Sequence, residues 1–398
     1  MSKLEELIKE LCPNGVEYRK LSEIVKMSRG VRVVRSQLTD DGRYPVFQNS
    51  MTPLGYYSEY NCLKDTVFLI SAGAAGEIGY SDTPFWTADD CWYFECGKNL
   101  IGRFLYYALA CKQEYIFSRV RKASVPRLSR NVIDMLQIPL PPLAVQREIV
   151  RILDKFTLYS QELAAELAAR KKQYEFYRDK LLSYNIMQHE TTLLELLAQP
   201  ITDGPHETPE LYDSGVPFIS AEAIHDTYID FSKKRGCISP EYNEQCNKKY
   251  KPQKGDVFLV KSGSTTGKVA MVTTDDVFNI WSPIAAMRVN ENNSARFLFY
   301  LLQTDYVQQQ VKKYASHGSQ PNLSMRKLEQ FKVFVPPLEV QKRIVKVLDN
   351  FDAICSDLGI GLPAEIEKRQ QQYEFYRDKL LTFGTGSATI FTDRQTDR

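Results

Sequence analysis

Two glycine-bearing runs carry the residue types that grip phosphate. FLISAGAAGEIG (68–79) and FLVKSGSTTGKVA (258–270) each follow a strand-like apolar stretch, DTVFLI (65–70) and GDVFLV (255–260). Backbone N–H groups in such a turn can cradle a phosphate, and a lysine can neutralise it. The spacing argues otherwise. The first run reads G-x-x-G-x-x-G, not G-x-G-x-x-G, and no acidic residue closes a second strand about 20 residues later. The second has three residues between its glycines where a phosphate loop has four, and Val269 stands where Ser or Thr would hold magnesium. The two runs occupy equivalent places in the chain and need one explanation. They read as tight strand-turn-strand connections.

Other chemistry is equally hard to find. No G-x-S-x-G, H-E-x-x-H or H-R-D pattern is present, nor an Asn-Pro-Pro-aromatic tetrapeptide. The histidines are His189, His206, His225 and His317, and none stands at ligand spacing from Cys or Asp. The eight cysteines lack C-x-x-C spacing and read as free thiols of a reducing cytosol. The acid pairs Asp89-Asp90 and Asp275-Asp276 read as turn or surface residues. No catalytic residue and no metal site is assigned. The N-terminal MSKLEELIKELC reads as a charged amphipathic helix, not a leader, and no apolar run reaches the roughly 18 residues of a membrane span. A cytoplasmic protein is expected.

The net charge is only +2, so affinity for a polyanion would have to come from local clusters. Such clusters exist. The first half holds Arg29, Arg32 and Arg35, then Arg119, Arg121, Lys122, Arg127 and Arg130. The second holds Lys233, Lys234 and Arg235, then Lys248, Lys249, Lys251 and Lys254, then Lys261 and Lys268, then Lys312, Lys313, Arg326 and Lys327. Counterion release at such groups supplies most affinity for DNA. Base reading needs forks, for which Gln48, Asn49, Gln320 and Asn322 are candidates. The 119–130 and 312–327 clusters are the firmest, being equivalent loops placed just before a helix.

What positions these residues is a duplication. PPLAVQREIVRILDKF (141–156) matches PPLEVQKRIVKVLDNF (336–351), and QYEFYRDKLL occurs at 173–182 and again at 372–381. RFLYYAL (103–109) is echoed by RFLFYLL (296–302). Each copy reads as an α/β (α+β) globular domain followed by a long helix. Apolar positions step by four and three, as in a coiled-coil seam. In the first copy they are Val145, Ile149, Ile152, Phe156, Tyr159, Leu163, Leu167, Tyr174, Tyr177 and Leu181. In the second they include Val340, Ile344, Val347, Phe351, Tyr373, Tyr376 and Leu380. The expected fold is two such domains with a pseudo-two-fold repeat, joined by helices paired as an antiparallel coiled coil. The boundaries expected are a first domain 1–138, a helix 139–184, a second domain 185–335, a helical region 336–383 broken near 359–363, and a flexible tail 384–398.

PPLxxQxxIVxxLD, present twice, together with the repeated QYEFYRDKLL, resembles the specificity subunit of type I restriction-modification enzymes. The resemblance covers essentially all of the chain up to about 383. It implies two target recognition domains, each reading half of a bipartite DNA sequence. The partners it implies are double-stranded DNA, two DNA-methyltransferase subunits and two restriction/translocase subunits, with no membrane. S-adenosylmethionine, ATP and Mg2+ would belong to those partners, and this chain would be non-catalytic. The competing expectation is a helical adaptor that reads no DNA.

Overall fold

The computed structural model describes residues 2–39, 42–183, 189–225, 227–316, 318, 320–356 and 361–383. The tail expected at 384–398 and His317 lie outside them. The chain divides into two compact units, 1–164 with 365–398, and 165–364.

Both units contain the same strand order. In the first, a four-stranded antiparallel sheet runs Val25–Arg29, Cys91–Cys96, Thr66–Ile70, Ile78–Ser81. In the second, the equivalent order is Thr202–Asp203, Ile284–Met287, Val257–Val260, Val269–Met271. The central strands TVFLI and VFLV are buried along their whole length, which explains why they read as continuous apolar runs. A three-stranded mixed sheet accompanies each. It holds Gly55–Tyr57, Tyr44–Phe47 and Trp86–Thr87 in the first unit, and Gly236–Ile238, Val216–Ile219 and Asn279–Ile280 in the second. The aromatic helices Gly102–Ala110 and Ala295–Leu302 cover one sheet face. Tyr107 and Tyr300 are fully buried there.

The long helices are Leu143–Leu181, Leu338–Ser356 and Leu362–Leu381. The second region is therefore two helices, and residues 357–360 of the expected break lie outside the described set. Each helix that follows a Pro-Pro pair is clamped to its own domain by the same two side chains, a glutamine and an aspartate. Gln146 accepts from the Ile101 N–H at 3.0 Å and donates to the Asn99 and Pro141 carbonyls at 2.8 Å. Gln341 accepts from the Ser294 N–H at 2.9 Å and donates to Asn293 and the Pro336 carbonyl at 2.9 Å. Asp154 accepts from Arg103 at 2.8 Å and the Tyr107 hydroxyl at 2.6 Å; Asp349 accepts from Arg296 and Tyr300 at the same distances.

The repeated decapeptide docks in both units. In the first, Tyr376 stacks on Phe156 at 5.4 Å and 24°. In the second, its equivalent Tyr177 stacks on Phe351 at 5.7 Å and 25°. Asp352 acts on Tyr174, and Lys171 on Cys355, so numbers rise along one helix as they fall along the other. The pairing within this unit is antiparallel. Burial raises the Tyr373 phenol to about 12 in the first unit, with Tyr106 of the domain adding to it.

The seam needs correction. Val145, Ile149 and Ile344 are buried, and Ile152, Phe156, Leu163, Leu167, Leu181, Phe351, Tyr373 and Tyr376 are partly so. Tyr174 and Leu380 are buried, whereas Tyr177 is 37% exposed. Val340, Val347 and Tyr159 are exposed. Leu153 and its equivalent Leu348 are the fully buried residues of that turn. The physical reason is that each helix first packs on its own domain. That contact follows the 3.6-residue period through Ile149 and Leu153 rather than a 3.5-residue seam.

Candidate DNA interface

Both glycine loops are turns between antiparallel strands, as their spacing predicted. Gly73 has φ +89° and Gly263 has φ +103°, conformations that L side chains rarely adopt. Each turn is zipped to the basic loop of its module. In the first, the Gly73 N–H donates to the Pro126 carbonyl at 3.1 Å and the Leu128 N–H to Ser71 at 2.9 Å. In the second, the Gly263 N–H donates to Pro321 at 2.9 Å and the Leu323 N–H to Lys261 at 2.8 Å. Two regions 53 to 62 residues apart in sequence thus form one surface feature, built twice.

Arg121 and Arg127 exchange backbone hydrogen bonds at 2.8 and 3.2 Å, pinching the first basic loop into a small hairpin. Arg119, Arg121, Lys122 and Arg127 are exposed on it, and Arg119 lies over the Tyr115 ring at 4.9 Å. The Ala74 N–H donates to the Asn49 carbonyl at 2.9 Å, bringing exposed Asn49 and half-buried Gln48 to the same turn. Arg32 and Arg35 are exposed, while Arg29 donates to the Asp89 carbonyl at 2.7 Å. Arg130 is tied down by the Met27 carbonyl at 3.0 Å and Asp134 at 3.3 Å. In the second module Lys312, Lys313, Gln320, Asn322 and Arg326 are exposed around the 312–327 loop, and Lys268 is half-buried. Lys313 and Lys327 both lie over the Tyr314 ring.

Lys261 departs from expectation. Its side chain is buried and its ammonium lies 3.3 Å from Asp203, a carboxylate with no exposed surface. A lysine used this way neutralises an interior charge and is withdrawn from solvent. Lys249 pairs with the other Asp203 oxygen, and His206 Nε2 lies 3.1 Å from the first. The sequence pattern had left this His–Asp pair unseen, because only Lys249 and Lys261, arriving from distant segments, complete the group. A cavity of about 210 Å³ opens beside it, lined by Asp203, His206's neighbours Pro205 and Glu207, Tyr242, Lys249 and Asn279. Arg288 grips Asp256 with two bonds of 2.7 Å, and Asp256 also accepts from the Tyr250 hydroxyl. Burial, then Asp256, pushes the Tyr250 phenol far up. This anchors the end of the helix Pro240–Lys249 and hence Lys249.

The family described as the type I restriction modification DNA specificity domain matches residues 13–170 and 205–368. The chain belongs to that family. Among curated relatives of this specificity subunit is the EcoR124I/EcoR124II type I restriction enzyme specificity subunit of Escherichia coli. It is 31% identical over 414 residues, spanning 96% of this chain and 98% of the relative. The EcoprrI specificity subunit of Escherichia coli is 29% identical over 274 residues, covering 64% and 62%. The type I S subunit of M. genitalium has the same fold at TM-score 0.56 and 18% identity, with 93% and 97% covered. A chain solved for the assembly and conformational transition of a type I system matches at TM-score 0.62 and 16% identity, with 93% and 98% covered. The duplicated architecture of this specificity subunit is therefore the architecture of its family. Among the described residues no helix is long and apolar enough to cross a membrane.

Proposed function

We propose that this specificity subunit reads a bipartite DNA target, one half-site per module, and directs adenine methylation and restriction by partner subunits. The supporting observation is the glycine turn zipped to a basic loop, built twice on equivalent sheets. Each loop offers exposed cations for phosphate and polar side chains for base edges. The recognition modules are 1–138 and 185–335, with 139–184 and 336–383 as the helical spacer and 384–398 as a tail. Two methyltransferase and two restriction/translocase subunits assemble on the duplicated frame. S-adenosylmethionine, ATP and Mg2+ serve those partners, and this chain makes and breaks no bonds itself. The complex works in the cytoplasm, and the eight free cysteines fit a reducing compartment.

The test is to graft another recognition module over 1–138 and sequence the methylated sites made with the methyltransferase partner. One half-site should change and the other persist. A change in both would overturn the modular reading.

A further inference from the structure

We infer that Arg235 is a specificity-determining residue that reads guanine in the half-site of the second module, and that Trp281 positions it. The inference rests on the DNA-reading function proposed above and deepens it.

The two residues meet across the three-stranded sheet. Arg235 immediately precedes the strand Gly236–Ile238, and Trp281 immediately follows Asn279–Ile280. Both strands pair with Val216–Ile219, which brings the two side chains together at one end of the sheet. The Arg235 N–H donates to Phe218 at 3.0 Å and the Trp281 N–H to Ile219 at 2.9 Å, so both backbones are held. The Arg235 guanidinium lies 3.8 Å from the Trp281 ring centroid, which places it against the face of the indole. The indole cannot turn freely, because its Nε1–H donates to the Glu207 carbonyl at 3.2 Å. Glu207 follows His206, whose exposed ring lies 3.1 Å from buried Asp203, the carboxylate that Lys249 and Lys261 also approach. The segment that carries the indole's acceptor thus lies beside this buried ion cluster.

Arg235 is exposed, and among the described residues no carboxylate pairs with it. This sets it apart from Arg103, Arg288 and Arg296, which lie farther from their rings, at 4.5, 5.8 and 4.9 Å, and spend their donors on Asp154, Asp256, Asp349 and Asp352. A guanidinium held against an aromatic ring with its fork unspent matches two acceptors in one plane. Guanine O6 and N7 in the major groove are such a pair. A phosphate contact needs only the charge, which a lysine supplies as well. The first module has no such stack at the equivalent place: by the shared sheet register Ala88 stands where the second has Trp281. The two half-sites are therefore read by different chemistry at this position.

The test uses the full chain assembled with its methyltransferase partner. Methylated sites are sequenced for the wild type, Arg235→Lys, Trp281→Phe and Trp281→Ala, and competition binding is measured against duplexes altered one base pair at a time. Arg235→Lys should relax the preference for guanine at one position of one half-site by about tenfold or more. Affinity for unrelated DNA and its salt dependence should hold within about twofold, because the charge is kept. Trp281→Ala should relax the same position, and Trp281→Phe less. Replacing that guanine by 7-deazaguanine should bring wild-type binding down to the level of Arg235→Lys. An unaltered motif in Arg235→Lys overturns the inference and leaves the proposed function standing. So does an Arg235→Ala variant that weakens every sequence equally, since that marks a phosphate contact. A wild type that modifies no bipartite motif overturns the DNA-reading function and this assignment with it.

Discussion

Asp349 offers a direct measure of how firmly the helix Leu338–Ser356 is bonded to its module. Its Oδ1 accepts from the Tyr300 hydroxyl at 2.6 Å and from Arg296 Nε at 2.8 Å, while Arg296 keeps a second bond to Asp352 at 2.8 Å. Tyr300 is fully buried, and burial together with Asp349 pushes its phenol well above the ordinary range. The Asp349 side chain is 44% exposed, which weakens its purely electrostatic share. A hydrogen bond to a charged group is worth about 1.5–3 kcal/mol, and the low end applies here because water reaches the carboxylate. Asp349→Ala should therefore cost about 2 kcal/mol and Tyr300→Phe about 1.5 kcal/mol, with a coupling near 1.5 kcal/mol in the double variant. Two units need not unfold together, so a global denaturation curve is the wrong probe. Native-state hydrogen exchange of the helix Ala295–Leu302 reports the local stability instead. Tyr107 and Asp154 should return the same coupling in the first module, because their distance is also 2.6 Å. Additivity within about 0.5 kcal/mol in both modules would show that these bonds do not carry the clamp.

Three further outcomes are expected. Inserting one more ELAA into ELAAELAA (162–169) lengthens the helix Leu143–Leu181 by about 6 Å, near two base pairs of DNA; sequencing of modified sites should show a longer gap between unchanged half-sites, and an unchanged gap refutes the proposed role of the helices as spacer. Gly73→Ala should cost about 2 kcal/mol or more, because its new Cβ would lie 2.7 Å from the Asn49 carbonyl oxygen, whereas Gly263→Ala meets nothing within 4 Å and should cost about 1 kcal/mol, the backbone term alone; thermal melts that rank them the other way would contradict the turn geometry. Burial raises the thiols of Cys62, Cys91 and Cys96 from 9.0 to about 12. Their neutral forms favour the folded state, so this contribution is complete below pH 9 and is lost as pH rises from 9 towards 12, at about 1.4 kcal/mol per thiol per pH unit. Urea titrations at pH 8 and pH 10.5 that gave equal stability would refute it.

Much of the fold is legible in the amino-acid sequence because duplication writes it twice. Two copies of PPLxxQ and of QYEFYRDKLL announce two modules, and an apolar period announces long helices. The reason is local: helix periodicity, proline punctuation and buried strands depend on neighbours a few residues away. The basic loops were legible for the same reason, as runs of charge beside glycine and proline.

What only the tertiary structure decided is which groups meet. Val347 and Leu348 are adjacent apolar residues on one helix, and sequence periodicity preferred the first, yet packing against the domain buries the second. Lys261 reads as a surface cation until Asp203, 58 residues earlier, is seen beneath it. Arg235 and Trp281 are 46 residues apart, and nothing local joins them. Such pairs are set by sheet register, where a slip of one residue turns every side chain to the opposite face. Local pattern therefore determined the modules and their helices, while long-range strand pairing and burial determined which charges remain available to DNA.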